Sequence, residues 1–236
     1  MYKSIKLITA MLLILMSTAY STVSYSHYDK VDYSQRDPLE KINRVFFSVN
    51  YLLDQLILRP IAKLYKHALP IKLQKGIDNV YKNFGEFRNA VNFGLQADSD
   101  NMINASKRFF INSTVGVLGI VDVATDLGYQ YNYNSFGRTI FSWTGKDGIY
   151  LELPLLSSAT FSSAIGKIAD AALLPEFYLD KSSRYTTSGI KIINKRSKFI
   201  GIDKLIYGDK YRMKRNLYLN KRYADLHPND EIEDDF

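Results

Sequence analysis

The chain of 236 residues is 46% hydrophobic and 23% charged, which supplies a core and excludes disorder through most of its length. It has no Cys, which excludes disulfides, thiol catalysis, Cys-ligated metals and a lipid carried on a thiol; its three His (His27, His67 and His227) are too scattered for a His-rich metal site. The net charge of +7 is unevenly placed: residues 29–180 balance, residues 181–224 carry +11 and residues 225–236 carry −6, so a neutral body bears a basic segment suited to nucleic acid, anionic lipid or an acidic protein.

Residues 1–26 read as a secretory signal. Lys3 and Lys6 precede the apolar run Leu7–Met16, and Ser17-x-Ala19 or Ser24-x-Ser26 offers a cleavage site. The alternative is an uncleaved interfacial anchor, because the run is too short to span a bilayer, which takes roughly 20 residues. No later stretch is apolar for that length. Export turns the basic segment away from nucleic acid and toward lipid or an exported protein. Residues 27–36 follow as a loose polar leader.

Asp37-Pro38-Leu39-Glu40 carries the signals of a helix start, with Asp37 as cap and Glu40 at the capping-box position. Leu39, Ile42, Phe46, Val49, Leu53 and Leu56 recur at helical spacing, and Phe47, Tyr51, Leu52 and Ile57 widen the apolar stripe. Such a helix is either buried between two neighbours or set with one side on protein and one in lipid. Arg59-Pro60 restarts the chain into a short helix to about Ala68, and Leu69-Pro70 breaks it. Leu73, Ile77, Val80 and Phe84 mark a further helix, Gly85-Glu86 a joint, and Val91 and Leu95 another short helix. Asp98 or Ser99 caps a helix to about Ile111. The run Thr114–Ala124 holds Gly116, Gly119 and Asp122 among small and β-branched residues. It reads as a buried strand or tightly packed helix, in which Asp122 needs a partner.

Ser135–Thr139 and Trp143–Pro154 read as loop and turn, with room for a short hairpin around Phe136 and Tyr150. Ser158 to about Leu174 returns to helix, Ser188 starts another, and Asp209 caps the last. The acidic tail from Asp225 reads as disordered. The fold class is mainly α, as a single multi-helix domain over residues 37–224. No catalytic triad, P-loop, dinucleotide fingerprint or H-E-x-x-H is present, so the reading is not an enzyme, and no cofactor is expected.

Several segments in order resemble the MlaA/VacJ family of Gram-negative outer-membrane proteins. They are Asp37–Asn50 with Arg59-Pro60-Ile61-Ala62; Asn83–Glu86 with Asn89–Asn92 and Leu95-Gln96; Arg108–Ala124; Phe136–Thr139 with Trp143 and Gly148–Pro154; and Asp209–Tyr218. The resemblance implies a helical ring in the inner leaflet of the outer membrane, with an internal amphipathic channel. It implies removal of phospholipid from the outer leaflet and hand-over to a soluble periplasmic carrier, maintaining lipid asymmetry, in association with a trimeric porin. The family's usual lipobox cysteine is absent, so localisation at the periplasmic face of the outer membrane, after signal cleavage, is expected without a thiol-linked lipid.

On that resemblance, Gly116, Gly119 and Asp122 are expected to line or gate the lipid path. Phe136, Gly137, Thr139, Trp143, Tyr150 and Pro154 lie in the loop beside them, with Trp143 and Tyr150 suited to a membrane interface. Lys195, Arg196 and Lys198 are expected to meet anionic lipid or the carrier. The rival readings are a structural or adhesive outer-membrane-associated protein and a periplasmic lipid-modifying enzyme.

Overall fold

Helix α1, Glu40–Leu53, opens the chain trace in the computed structural model, which describes residues 35–155, 157–202 and 208–228. The signal, most of the leader and the tail beyond residue 228 lie outside the described residues. The start differs from the expectation. Leu39 occupies the cap position and no side chain caps the helix. Asp37 turns inward instead, where its carboxylate accepts hydrogen bonds from Asn43 at 2.7 Å, from Arg215 at 3.0 Å and from the Tyr211 hydroxyl. The end of the leader is held as well, since the Arg36 carbonyl accepts the Tyr150 N–H at 2.7 Å.

One wider π-helical turn, Asp54–Leu58, carries α1 into α2, Arg59–Ala68, so the restart expected at Arg59-Pro60 is a continuation. Pro60 is the second residue of α2, directly after the wider turn. The break at Leu69-Pro70 is present: Leu69 is extended and α3 runs Ile71–Leu95. The expected joint at Gly85-Glu86 is absent, because both residues lie within this one 25-residue helix. Asp98 caps α4, Ser99–Thr114, by accepting the Asn101 N–H.

Residues 115–121 are neither strand nor helix but a run of turns with three consecutive positive φ angles: Val117 53°, Leu118 56° and Gly119 90°. Asp122 then caps the single turn α5, Val123–Asp126. Phe136–Thr144, expected as loop, is helix α6. It stops at Gly145, whose left-handed φ of 65° suits glycine. The one hairpin of the described residues lies later than expected: β1, Tyr150–Leu153, pairs antiparallel with β2, Ser157–Thr160, with Tyr150 opposite Thr160.

Thr160 and Ser163 form a capping box for α7, Phe161–Ala171, which therefore starts after Ser158. After a 3₁₀ turn, Pro175–Tyr178, Asp180 caps α8, Lys181–Ser197, well before the expected start at Ser188. Asp209 caps α9, Lys210–Leu226, as expected; Asp225, expected to begin the acidic tail, is helical. The fold class is mainly α, as expected, with one small hairpin.

Close approach of α6 and α7 depends on two glycines. A Cβ on Gly166 would lie 2.2 Å from the Gly137 nitrogen, and one on Gly137 would lie 2.7 Å from the Ser163 Cα. The apolar core is small. Tyr150, Tyr211 and Leu219 form its buried cluster, with Phe47 and Tyr218 packed against it.

Candidate functional site

The distribution of polarity is inverted. Among the described residues, eight apolar side chains are buried, four of them alanines, against more than twenty polar or charged ones. Large apolar side chains are meanwhile exposed on almost every element. Helix α1 shows the rule: Ile42, Val49, Leu52 and Leu56 from its apolar stripe face outward, while Asn43 is buried and Asn50 turns inward to Glu152. The stripe is divided: Ile42, Val49, Leu52 and, in the π turn that follows, Leu56 are exposed, whereas Phe46 and Leu53 are half-buried and Phe47 packs on the core.

The polar interior is organised by α3. Asn83, Glu86, Asn89 and Asn92 recur every third residue and are all buried. Asn83 donates to the Ser113 hydroxyl at 2.9 Å. Glu86 accepts from Asn89 at 3.0 Å and from the Arg108 guanidinium of α4. Asn89 also accepts the Asn134 N–H at 3.1 Å. Asn92 donates to Asp170 of α7 at 3.0 Å and accepts from Thr139 of α6 at 2.9 Å. One turn further, Gln96 donates to Asn134 and Thr139. This ladder winds around α3 and ties α4, α6 and α7 to it. Its three-residue spacing is visible in the sequence, but sequence reasoning treated the segment as two helices and assigned these residues no site.

Arg108 is 1% exposed and serves two carboxylates, Glu86 and Asp122, the latter at 3.0 Å and 3.1 Å. Burial pushes the Glu86 carboxyl above its ordinary range against the pull of Arg108. Burial acts on Asp122 too, but hydrogen bonds from Thr125, Asn112 and Arg108 outweigh it and hold that carboxyl low. Burial likewise raises Asp170, although the Phe136 N–H donates to it at 3.0 Å.

A second polar network joins α1, the hairpin and α9. Glu152 accepts from Lys214 at 2.6 Å, Asn50 at 2.8 Å and the Tyr150 hydroxyl at 2.8 Å. Asp147 accepts from Arg222 at 2.7 Å and from Thr160 at 2.9 Å. Burial drives the Tyr150 and Tyr211 hydroxyls far above the ordinary tyrosine range, so both remain hydrogen-bond donors.

The expected path residues divide into three places. Gly119 packs on Asn83 and Asp122 on Arg108, so both reach the first half of the α3 ladder. Gly116 closes the turn against Asn112 and Val121. Phe136 and Thr139 reach the second half of the ladder through Asp170 and Asn92, whereas Gly137 packs on Ser163 of α7 and its carbonyl accepts from Arg222. Trp143 is 56% exposed and its indole N–H donates to the Leu95 carbonyl, consistent with an interface ring. Tyr150 is fully buried and has no interface position, because its hydroxyl is needed by Glu152 and Ser158. Pro154 is exposed beyond β1. Arg196 and Lys198 are engaged internally, with Asp54 at 2.7 Å and Asp78 at 2.5 Å, while Lys195 is exposed.

Among the described residues no cluster of His, Asp or Glu is suited to hold a metal ion, and no helix is long and apolar enough to cross a membrane. What the arrangement offers is two networks of fixed dipoles and paired charges beneath exposed apolar side chains. The model of the MlaA lipoprotein family matches residues 35–225. The chain belongs to the MlaA lipoprotein family. The MlaA match thus spans the ladder, the hairpin and α9 together.

Uncharacterized proteins of Rickettsia typhi and Rickettsia bellii are 38% and 33% identical over 122 and 162 residues, which are 52% and 68% of this chain. The chain spans 49% and 64% of those two relatives' lengths, about half in the first case. The Escherichia coli intermembrane phospholipid transport system lipoprotein MlaA is 29% identical over 194 residues, covering 78% of this chain and 76% of that protein. A solved structure described as the structural basis for maintenance of bacterial outer membrane lipid asymmetry matches with a TM-score of 0.72 at 30% identity, over 80% of this chain and 98% of that one.

Proposed function

We propose that this protein removes phospholipid from the outer leaflet of the outer membrane and hands it to a soluble periplasmic carrier. The observation that carries the reading is the inverted polarity: large apolar side chains outside, Asn, Glu, Asp and Arg inside. A head group crossing hydrocarbon unaided meets a cost of several kcal/mol. An assembly that keeps its exterior in lipid and offers polar partners within lowers that cost without any bond being broken. The E. coli and Shigella flexneri relatives carry names for intermembrane phospholipid transport, which supports the same reading.

In this proposal the helices lie as a ring within one leaflet, at the periplasmic face, after loss of the signal segment. The apolar flank of α1 and α2 provides the attachment, since the sequence holds no Cys to acylate. A trimeric porin is the structural partner in the membrane. The α3 ladder, with Gly116, Gly119, Asp122, Phe136, Gly137 and Thr139 against it or beside it, borders the lipid path.

Mass spectrometry of lipids retained by the detergent-extracted protein tests the reading. Intact phospholipid is expected, together with restored clearance of surface phospholipid when the chain is expressed in cells lacking their own MlaA protein. A protein that retains no phospholipid, or returns it chemically altered, would overturn the proposal.

A further inference from the structure

Residues 129–135 form neither helix nor strand, and their three alternating tyrosines each lie beneath cations of the adjoining helices. Lys107 sits 5.2 Å from the Tyr129 ring, and Lys82 and Arg108 each sit 5.5 Å from that of Tyr131. Arg88 and Arg138 sit 4.8 Å and 5.3 Å from the ring of Tyr133. Three of these cations are closed on carboxylates: Lys82 on Asp78 at 3.3 Å, Arg138 on Asp225 at 3.0 Å, and Arg108 on Glu86 and Asp122. Lys107 is exposed to solvent. Arg88 is neither exposed nor paired. It is half-buried on α3, between Glu86 and Asn89 of the ladder, and forms no ion pair among the described residues.

The Arg88 guanidinium is nevertheless held in place. Its Nη2 donates to the Asn89 amide oxygen at 3.0 Å, its one hydrogen bond among the described residues. Nε is buried with no acceptor. The group lies against α3 at Gly85, where an added Cβ would stand 3.2 Å from Nη2. Asp170 is within reach of its field, but that carboxylate is occupied by the Asn92 amide and the Phe136 N–H. An arginine cannot shed its proton, so the charge is permanent. The Tyr133 ring, Gly85 and Asn89 position this charge without neutralising it. Most of its five N–H donors are left for an oxyanion, whose oxygens a planar guanidinium fits in pairs.

We propose that Arg88, held between Tyr133 and Gly85, is an oxyanion site that takes the phosphate oxygens of a phospholipid head group beside the middle of the α3 ladder. The inference rests on the transport reading above and deepens it. A phosphodiester supplies the missing negative charge and two unshared oxygens. Tyr133 is 44% exposed, so the ring that positions the guanidinium is itself open to a ligand. A half-exposed site with one cation suits a ligand that must leave again, since passage needs sites strong enough to admit and weak enough to release.

Two measurements on the detergent-extracted protein test this. In the first, wild type is treated with the arginine reagent phenylglyoxal, and modification at each arginine is read by peptide mass spectrometry. Arg88 is expected to react in lipid-free protein and to be protected by phosphatidylglycerol, but not by dioleoylglycerol, which lacks the phosphate. In the second, wild type, Arg88→Gln and Lys107→Gln are titrated with the same two lipids and retention is read by native mass spectrometry. Arg88→Gln is expected to retain phosphatidylglycerol about tenfold less well, the size of one lost charge-assisted contact, with dioleoylglycerol unchanged. Lys107→Gln removes an equal charge from an exposed site and should match wild type. The inference is overturned if Arg88 does not react, or reacts equally with phosphatidylglycerol present; both outcomes are read on wild type and need no variant to fold. It is also overturned if Arg88→Gln retains phosphatidylglycerol like wild type, loses both lipids equally, or shares its loss with Lys107→Gln. Protection by inorganic phosphate at the lipid's own concentration would assign a free-anion site and overturn the head-group reading. A wild type that retains no phospholipid sinks the transport reading itself, whereas one that retains it with Arg88 unprotected sinks this inference alone.

Discussion

Glu86 on α3 and Arg108 on α4 are each 1% exposed and hydrogen-bonded to one another, and the same guanidinium reaches Asp122 beyond the turn at Gly119. One buried cation therefore fixes two helices and the loop that follows. Arg108→Met leaves two carboxylates without their partner. The expected loss is about 3–5 kcal/mol, the usual cost of breaking a buried pair on one side. Denaturant unfolding of the detergent-extracted protein measures it, and Glu86→Gln, which keeps an acceptor and shape, should cost clearly less.

Arg44 holds two carboxylates, Glu40 at 2.8 Å and Asp209 at 2.7 Å, and through Asp209 it links α1 to the cap of α9. Its hydrogen bond lowers the Asp209 carboxyl from 3.8 to about 2. A depressed folded pKa contributes stability that is present above the unfolded value and lost as pH falls through the folded one. Stability should therefore fall between about pH 4 and pH 2. Asp209→Asn, which can still cap the helix, should flatten that part of the profile; unfolding midpoints across the acid range are the measurement.

Much of the local grammar was legible. Asp98 and Asp209 cap as their positions predict, Leu69-Pro70 separates two helices, and Asp122 has the buried partners its surroundings demanded. Two kinds of feature were hidden. Gly85-Glu86 reads as a joint only if Glu86 faces water; paired with Arg108 it belongs to a buried helix face. The polarity of α1 has the same root. Periodicity finds an apolar face but not which way it turns, and here several of its large apolar side chains turn outward. Glu152 and Lys214 are spread over β1 and α9, so no spacing in the sequence announces them.

The α6–α7 crossing gives a paired prediction. Gly166→Ala would place a Cβ 2.2 Å from backbone of Gly137, which has no flexible end to move aside. A loss of about 1–3 kcal/mol or more is expected. Gly189 lies inside α8 with nothing within 4 Å of an added Cβ, so Gly189→Ala should stabilise by about 0.4–1 kcal/mol. Thermal unfolding of the two variants side by side tests whether glycine is required at the crossing alone.

The outward apolar face of α1 makes a separate claim about attachment. Val45, Leu52 and Leu56 are exposed and pack on little of the protein, so replacing each with Asp should leave folding intact. Each change should weaken partition into the membrane by up to about 2.5–3.5 kcal/mol, the scale for an acid at the hydrocarbon centre. The triple variant is expected to move from the membrane fraction to the soluble fraction after cell disruption.

The turn at residues 115–121 carries the remaining proposal, that Gly116, Gly119 and Asp122 shape the lipid path. Gly116 has the Val121 carbonyl 2.3 Å and the Asn112 carbonyl 2.6 Å from the site of an added Cβ, and Gly119 has φ 90° with the Asn83 Cβ at 2.6 Å. Substitution at Gly116 therefore strains backbone, and at Gly119 it also displaces Asn83 of the α3 ladder, so Gly119→Leu and Gly119→Ala should both lower abundance. Those variants report on folding rather than on passage. The informative positions are the tip residues Val117 and Leu118, which are 60% and 70% exposed at φ 53° and 56°. A non-glycine residue there is already held in a sparsely populated conformation by the Leu118 N–H to Ser113 and Gly119 N–H to Asn112 bonds. Leu118→Gly should relieve that strain, and Leu118→Gln should keep the side-chain length while removing its affinity for hydrocarbon. If the tip guides lipid, Leu118→Gln at normal abundance will leave phospholipid on the cell surface, and Leu118→Gly will do so despite an equal or higher thermal midpoint. Normal clearance by both variants at wild-type abundance would assign the turn to structure alone.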